Sequence, residues 1–296
     1  MRLTATANRL SPPLKWFGGK YYLASRIIAL MPRHIHYVEP YAGGLQVLLA
    51  RDPADERLWL PGHKGVSEVA NDLDGRLTNF WRVLRDSNLF PQFHRQVQAI
   101  PLSRSAWVEA HNHEPGLDLV GNAVAFFVDA RQSRAGNRKG FTSLTRNRLR
   151  RGINGNASEW LGAIDGLPDV HERLRSVVIE NKPALELIRS EDTDGTLFYC
   201  DPPYLHSTRT STDAYAFEMT EADHRDLLAA LLKCRGKVML SGYPSVLYDE
   251  ALAGWARHTF DLPNNAAGGA SKGRETEALW CNFSRPNGEQ QNNPPK

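Results

Sequence analysis

The residues most able to do chemistry sit where short apolar runs stop. Leu197-Phe198-Tyr199-Cys200 runs into Asp201-Pro202-Pro203-Tyr204. An exocyclic aromatic amine, such as that of adenine, is a poor nucleophile because its lone pair is delocalised into the ring. A carboxylate and a backbone carbonyl held side by side can accept both its N–H hydrogens. That draws the nitrogen toward tetrahedral geometry as it attacks a methyl group. Asp201 brings the carboxylate, and two prolines, each with φ near about −65°, stiffen the chain and leave the Pro202 carbonyl free. Tyr204 offers an aromatic face on which an extruded base can stack. The same tetrapeptide also makes an ordinary turn, so its position at a strand end carries the reading.

Two further constellations end strands. Glu39-Pro40-Tyr41-Ala42-Gly43-Gly44 follows the run at His36–Glu39. Its glycines allow close backbone approach to a ligand, and the next helix begins with free N–H groups. No GxGxxG fingerprint is present, and alone this is a tight turn. Asp72 closes the next strand, where a carboxylate can hold ribose hydroxyls or cap a helix. Upstream of all three lies Lys15-Trp16-Phe17-Gly18-Gly19-Lys20.

The elements that position these residues alternate. Apolar periodicity predicts helices at Tyr21–Met31, Leu45–Ala50 and Leu73–Arg85, the last with Leu77, Phe80, Trp81 and Leu84 on one face. Strands are expected at His36–Glu39, Val66–Ala70, Val177–Glu180, Thr196–Cys200 and Lys237–Ser241. Helices follow at Ala184–Ser190, Glu221–Lys233 and Ser245–Leu252, and a terminal strand pair at His258–Leu262 and Glu277–Phe283. Such alternation implies an α/β doubly wound sheet with ligands beyond the carboxyl ends of its strands. Residues 88–168 break the pattern with helical segments, Gly and Asn, and read as an insert between parts 1–87 and 169–283 of the sheet domain. The Asn-, Gln- and Pro-rich tail 284–296 reads as disordered.

Charge is uneven. Arg131 to Arg151 holds seven Arg, one Lys and no acid, +8 in a chain of net +3, so the remainder carries −5. A cation block on an otherwise acidic protein suits a polyanion, although a solvated helix face is the plainer alternative. No run approaches the ~18 apolar residues of a membrane span, and Met1–Ser11 lacks a secretory apolar run. Cys200, Cys234 and Cys281 have no CxxC spacing and read as reduced cytosolic thiols; no metal is expected.

Taken together, Lys15–Lys20, the Glu-Pro glycine turn, the acidic turn, an insert and then DPPY resemble the Dam-type DNA adenine-N6 methyltransferases of bacteria and phages, over roughly 13–283. The resemblance implies a Rossmann-like methyltransferase sheet with a mainly helical inserted DNA-recognition domain. It implies site-specific methylation of adenine N6 in duplex DNA by base flipping, with S-adenosyl-L-methionine as donor. Asp201, Pro202 and Tyr204 would be catalytic. Trp16, Lys20, Glu39, Tyr41, Ala42, Gly43, Gly44, Asp72 and Asp201 would hold the donor, Lys20 at its carboxylate. Lys15, Arg131, Arg134, Arg138, Lys139, Arg146 and Arg148 would meet DNA. The implied setting is the bacterial cytosol, phage or prophage origin included. Double-stranded DNA and a cognate restriction endonuclease are the implied partners of a monomer or weak dimer.

Two positions depart from the family pattern. Leu45 stands where another glycine is usual, and Asn181-Lys182-Pro183-Ala184 replaces an acid that in many members meets the donor adenine. An RNA methyltransferase of this fold, or a DNA-binding protein that has lost catalysis, is the alternative. The polar loop His206–Tyr215 is a candidate to close over a base, with His206 and Arg209 as contacts.

Overall fold

The computed structural model describes residues 10–16, 18–142, 147–208, 216–263 and 274–284. In chain order the strands are β1 (His36–Glu39), β2 (Ser67–Asn71), β3 (Leu149–Arg150), β4 (Ile153–Asn154), β5 (Val177–Glu180), β6 (Thr196–Cys200), β7 (Lys237–Gly242), β8 (Ala256–Pro263) and β9 (Arg274–Cys281). The helices are α1 (Ala24–Ile28), α2 (Gln46–Ala50), α3 (Gly75–Arg85), α4 (Phe90–Ala99), α5 (Arg104–His111), α6 (Leu119–Gln132), α7 (Gly155–Asp165), α8 (Leu167–Leu174), α9 (Ala184–Glu191), α10 (Glu221–Leu231) and α11 (Val246–Ala251).

Seven strands form one sheet in the order β5-β2-β1-β6-β7-β9-β8, while β3 and β4 pair separately. The first five in that order run parallel, and β9 returns antiparallel between β7 and β8. Central parallel strands are covered on both faces, so they need uninterrupted apolar sequence. β6 meets this, being buried at all five positions. The chain winds outward from β1 through β2 to β5, then crosses back to β6 and on to β7. β1 and β6 are therefore the neighbours at which winding reverses, and a crevice opens beyond their carboxyl ends. This is the Rossmann-like arrangement expected of the sheet.

α3 buries Leu77, Phe80, Trp81 and Leu84 as its periodicity predicts, and its N-cap is Asp74, which accepts from Arg76 N. Asp72 is thus released from capping. The stretch 88–168 is helical, but its apolar faces join the core of α3. Phe126 and Phe127 of α6 lie 5.8 and 5.9 Å from Phe80. α1 is shorter than Tyr21–Met31, with turns at 21–23 and 29–30 on either side of it. The terminal strand pair is longer than expected, from Ala256 opposite Cys281 to Pro263 opposite Arg274. The tail beyond 284 lies outside the described residues, as do most of the joining loop and residues 209–215 of the polar loop.

Asn71 ties the sheet's carboxyl edge together. Its amide donates to Pro40 O at 2.9 Å and Lys182 O at 3.0 Å, and its oxygen accepts from Lys182 N at 2.9 Å. One buried side chain thus joins the segments leaving β1, β2 and β5. Asn71→Ala strands three backbone groups and should lower unfolding free energy by about 1–3 kcal/mol. Chemical denaturation with hydrogen exchange at the Lys182 amide checks this, and unchanged values in both would refute the clamp.

Candidate active site

Two adjoining cavities occupy the crevice. A small pocket of about 40 Å³ is lined by Trp16, Gly18, Gly19, Lys20, Glu39, Tyr41, Ala42, Gly43, Gly44, Gln46, Val47, Tyr199 and Asp201. A cleft of about 620 Å³ has Trp16, Tyr41, Gly43, Asp72, Asp201 and Pro203 on its sheet side. Its opposite wall includes His111, Asp129, Asn137, Arg138 and Lys139 from the helical stretch. Trp16, Tyr41, Gly43 and Asp201 border both spaces. Of the residues singled out for a donor, all but Asp72 line the small pocket, and Asp72 lines the cleft beside it.

The glycine turn is shaped by close contact. Trp16 lies against it so tightly that a Cβ on Gly43 would come 2.7 Å from the indole Nε1, and one on Gly44 2.8 Å from Trp16 Cβ. Leu45 adopts the left-handed conformation, φ 52° and ψ 33°, that a glycine would take without strain. That conformation disfavours Leu by roughly 1–2 kcal/mol. Complete burial of its side chain offsets this, so the turn keeps its shape without the usual glycine. Asp72 braces the same turn. Its Oδ2 accepts from Gly43 N at 3.0 Å and its Oδ1 from Asp74 N at 2.9 Å, and burial pushes its carboxyl up to about 6. Asn181 donates to Asp72 O at 2.8 Å and Leu73 O at 3.1 Å. Its amide nitrogen is therefore committed to holding this acidic turn.

Asp201 emerges from the buried end of β6 into a polar cluster. Lys20 Nζ lies 3.0 Å from its Oδ1, 3.8 Å from Glu277 Oε2, and donates to Gly18 O at 2.7 Å. The Tyr204 hydroxyl donates to Asp201 Oδ1 at 3.3 Å and stands 3.5 Å from Glu277 Oε2. Burial raises the Asp201 carboxyl above its ordinary range, and the Lys20 charge opposes the rise. Glu39, 2% exposed, accepts from the Tyr37 hydroxyl at 2.7 Å. Its carboxyl is pushed up to about 8, mainly by burial and further by the Asp201 charge. Lys20, expected at a donor carboxylate, is thus already engaged with Asp201. Tyr204, expected to stack a base, is buried. Lys20 Nζ covers its ring at 4.8 Å, and Tyr243 meets it edge-on at 4.7 Å. Phe217, half-exposed on the cleft wall, is an aromatic surface that its place in a polar loop gave no reason to choose. Glu277 was visible only as part of a late segment.

A family model described as D12 class N6 adenine-specific DNA methyltransferase matches residues 16–262. The chain belongs to that family. It is also 24% identical to the Type II methyltransferase M1.LlaDCHI of Lactococcus lactis subsp. cremoris, over 93% of this chain and 96% of that protein. In this D12-class methyltransferase no described helix is long and apolar enough to cross a membrane. Among the described residues no group of His, Cys, Asp and Glu could hold a metal ion.

The cationic block of the methyltransferase divides by environment. Arg131 turns inward: Nη2 donates to Glu159 O at 2.9 Å, Nε is buried, and burial pulls its pKa down to about 10. Arg131, in the last turn of α6, is thus engaged within the fold and only partly exposed. Lys15 pairs with Glu159 at 3.4 Å, and burial, then the Arg131 charge, lowers its pKa. Arg138 has φ 57°, and its Nε donates to buried Asp129 at 2.6 Å while its guanidinium covers Phe126 at 4.8 Å. Arg134, Lys139 and Arg148 are exposed, with Arg150 and Arg151 beside them. The last three belong to the β3–β4 hairpin, whose turn residues Arg151 and Gly152 both have positive φ. Arg146 lies outside the described residues.

Removing Lys20 leaves Asp201 without its counter-ion, so Lys20→Met should lose roughly 3–5 kcal/mol with the carboxylate ionised. Asp201's folded pKa rises further above its unfolded value in the variant. A group so raised contributes stability that disappears as pH climbs through its folded pKa. The deficit against wild type should therefore be larger at pH 8 than at pH 5. A deficit independent of pH in denaturant titrations would contradict the pairing.

Proposed function

We propose that this protein methylates adenine N6 at a specific duplex DNA site, using S-adenosylmethionine and extruding the target base. The observation carrying the reading is Asp201, which borders both the small pocket and the cleft. A donor with its amino-acid head in the first, and a base in the second, meet at that carboxylate. The pocket suits a cationic donor: burial raises the carboxyls of Glu39 and Asp201, so an added positive charge favours their ionised forms, and Gly43 and Gly44 leave room for backbone contact. When bound, the donor supplies an electrophilic methyl group.

The chain's residues do the rest. Asp201 and the Pro202 carbonyl accept the amine hydrogens, and the raised pKa of Asp201 makes it a better acceptor for the proton shed after transfer. Trp16 walls the donor, while Asp72 and the turn it braces meet the ribose. Tyr204 must leave Lys20 to stack on a base, whereas Phe217 presents its face without such movement. Residues 88–168 serve as the target-recognition insert. Within it Arg134, Lys139 and Arg148 neutralise phosphates, Arg138 faces the cleft, and Lys15 and Arg131 hold the insert in place. A cognate restriction endonuclease, a cytosolic setting and a monomer or weak dimer complete the reading.

Asp201→Ala should abolish methyl transfer in a protein that still folds, with a lowered thermal midpoint because buried Lys20 loses its nearest counter-ion; circular dichroism checks the fold. Undiminished turnover in the folded variant would sink the mechanism. On duplex DNA, Arg148→Ala should flatten the slope of log affinity against log salt by about 0.9. Arg131→Ala should lower stability and leave that slope unchanged. Equal salt slopes for Arg148→Ala and wild type would place the phosphate contacts elsewhere.

A further inference from the structure

Gln46 is absent from every motif of the resemblance, yet it lines the small pocket together with Glu39, Lys20 and Asp201. Its Oε1 is buried and has no hydrogen-bond partner among the described residues. The side chain lies directly against two glycines. A Cβ on Gly19 would fall 2.2 Å from its amide nitrogen, and one on Gly44 would fall 3.6 Å from its Cγ. An amide pressed between two glycines, with its acceptor turned from solvent and left unpaired, is out of keeping with a settled core, where buried acceptors find donors. A ligand N–H is the missing partner.

The pocket's size narrows the ligand. About 40 Å³ admits roughly three water-sized groups, enough for an α-amino-acid head and too little for a ring. Of that head's two ends, the ammonium carries three donors and no acceptor. The Glu39 carboxylate and Gln46 Oε1 are both acceptors. Resting on the donor proposed above, we infer that Gln46 accepts a hydrogen bond from the donor's α-ammonium and makes the site select nucleosides that carry a protonated amino-acid head. Gln46 is a positioning residue: its oxygen touches the donor's tail, away from the transferred methyl.

Calorimetry with S-adenosylhomocysteine and with 5′-methylthioadenosine, which lacks the amino-acid head, separates this role from a structural one. Gln46→Leu should bind S-adenosylhomocysteine roughly 10- to 100-fold more weakly than wild type, the scale of a hydrogen bond to a charged group. Its affinity for 5′-methylthioadenosine should be unchanged. Gln46→Glu, which keeps an acceptor oxygen in either protonation state, should retain binding of both. On wild type, S-adenosylhomocysteine lacking only its α-amino group should bind as weakly as the intact ligand binds Gln46→Leu, a comparison that needs no folded variant. Equal losses for both nucleosides in Gln46→Leu, or undiminished binding of the deaminated ligand by wild type, would overturn the assignment. Failure of wild type to bind S-adenosylhomocysteine at all would remove the donor reading and this inference together.

Discussion

A carboxylate at the mouth of a buried strand must be balanced, and the Lys20–Asp201 pair is where this protein does so. β6 is buried along its whole length, so Asp201 leaves an apolar interior with only a fifth of its side chain exposed. An isolated charge there would protonate instead of ionising. Lys20 supplies the balancing charge from a segment distant in sequence, and the rest of the site follows from bringing that segment across the sheet. With Lys20 at Asp201, Trp16 is carried onto the glycine turn, and Tyr204 and Glu277 complete the polar cluster around the ammonium.

The same segment joins the helical stretch 88–168 to the small pocket. Gly136 has φ +73°, and a Cβ there would come 2.4 Å from Lys15 O, so this turn seats directly on the residue before Trp16. Phe126 packs 6.4 Å from Trp16 and lies under the Arg138 guanidinium. The cationic turn and the small pocket therefore share one packed wall and one apolar core. Close packing of this kind transmits displacements, because side chains in a dense interior have few places to go. The cationic turn and the small pocket accordingly lie on either side of a common partition.

Much of this was legible in the sequence, for identifiable reasons. β1, β5 and β6 begin and end where their apolar runs do, because a covered parallel strand leaves little freedom of composition. Glu39 and Asp201 stood out because they close such runs. What escaped was orientation. Arg131 is chemically indistinguishable from Arg134 in a cationic block, and only the fold separates them, Arg131 reaching Glu159 O from α6 and Arg134 lying exposed in the turn after it. Tyr204 follows two prolines as expected, but whether its ring faces a base or an ammonium depends on Lys20, far away in the chain. Asn71 carries no signal of its own in the sequence, and only the meeting of three strand ends makes it a clamp. Leu45 showed only as a missing glycine, and the unpaired Gln46 oxygen carries no local sequence signal, since it arises from packing against Gly19.

The central claim is that Asp201 acts on an adenine amine and on no other nucleophile. Incubating the protein with methyl-tritiated S-adenosylmethionine and genomic duplex DNA, then digesting to nucleosides and separating them, tests it directly. All tritium in the DNA should elute as N6-methyladenine. Label in N4-methylcytosine or 5-methylcytosine, or label in RNA with none in duplex DNA, would contradict the account.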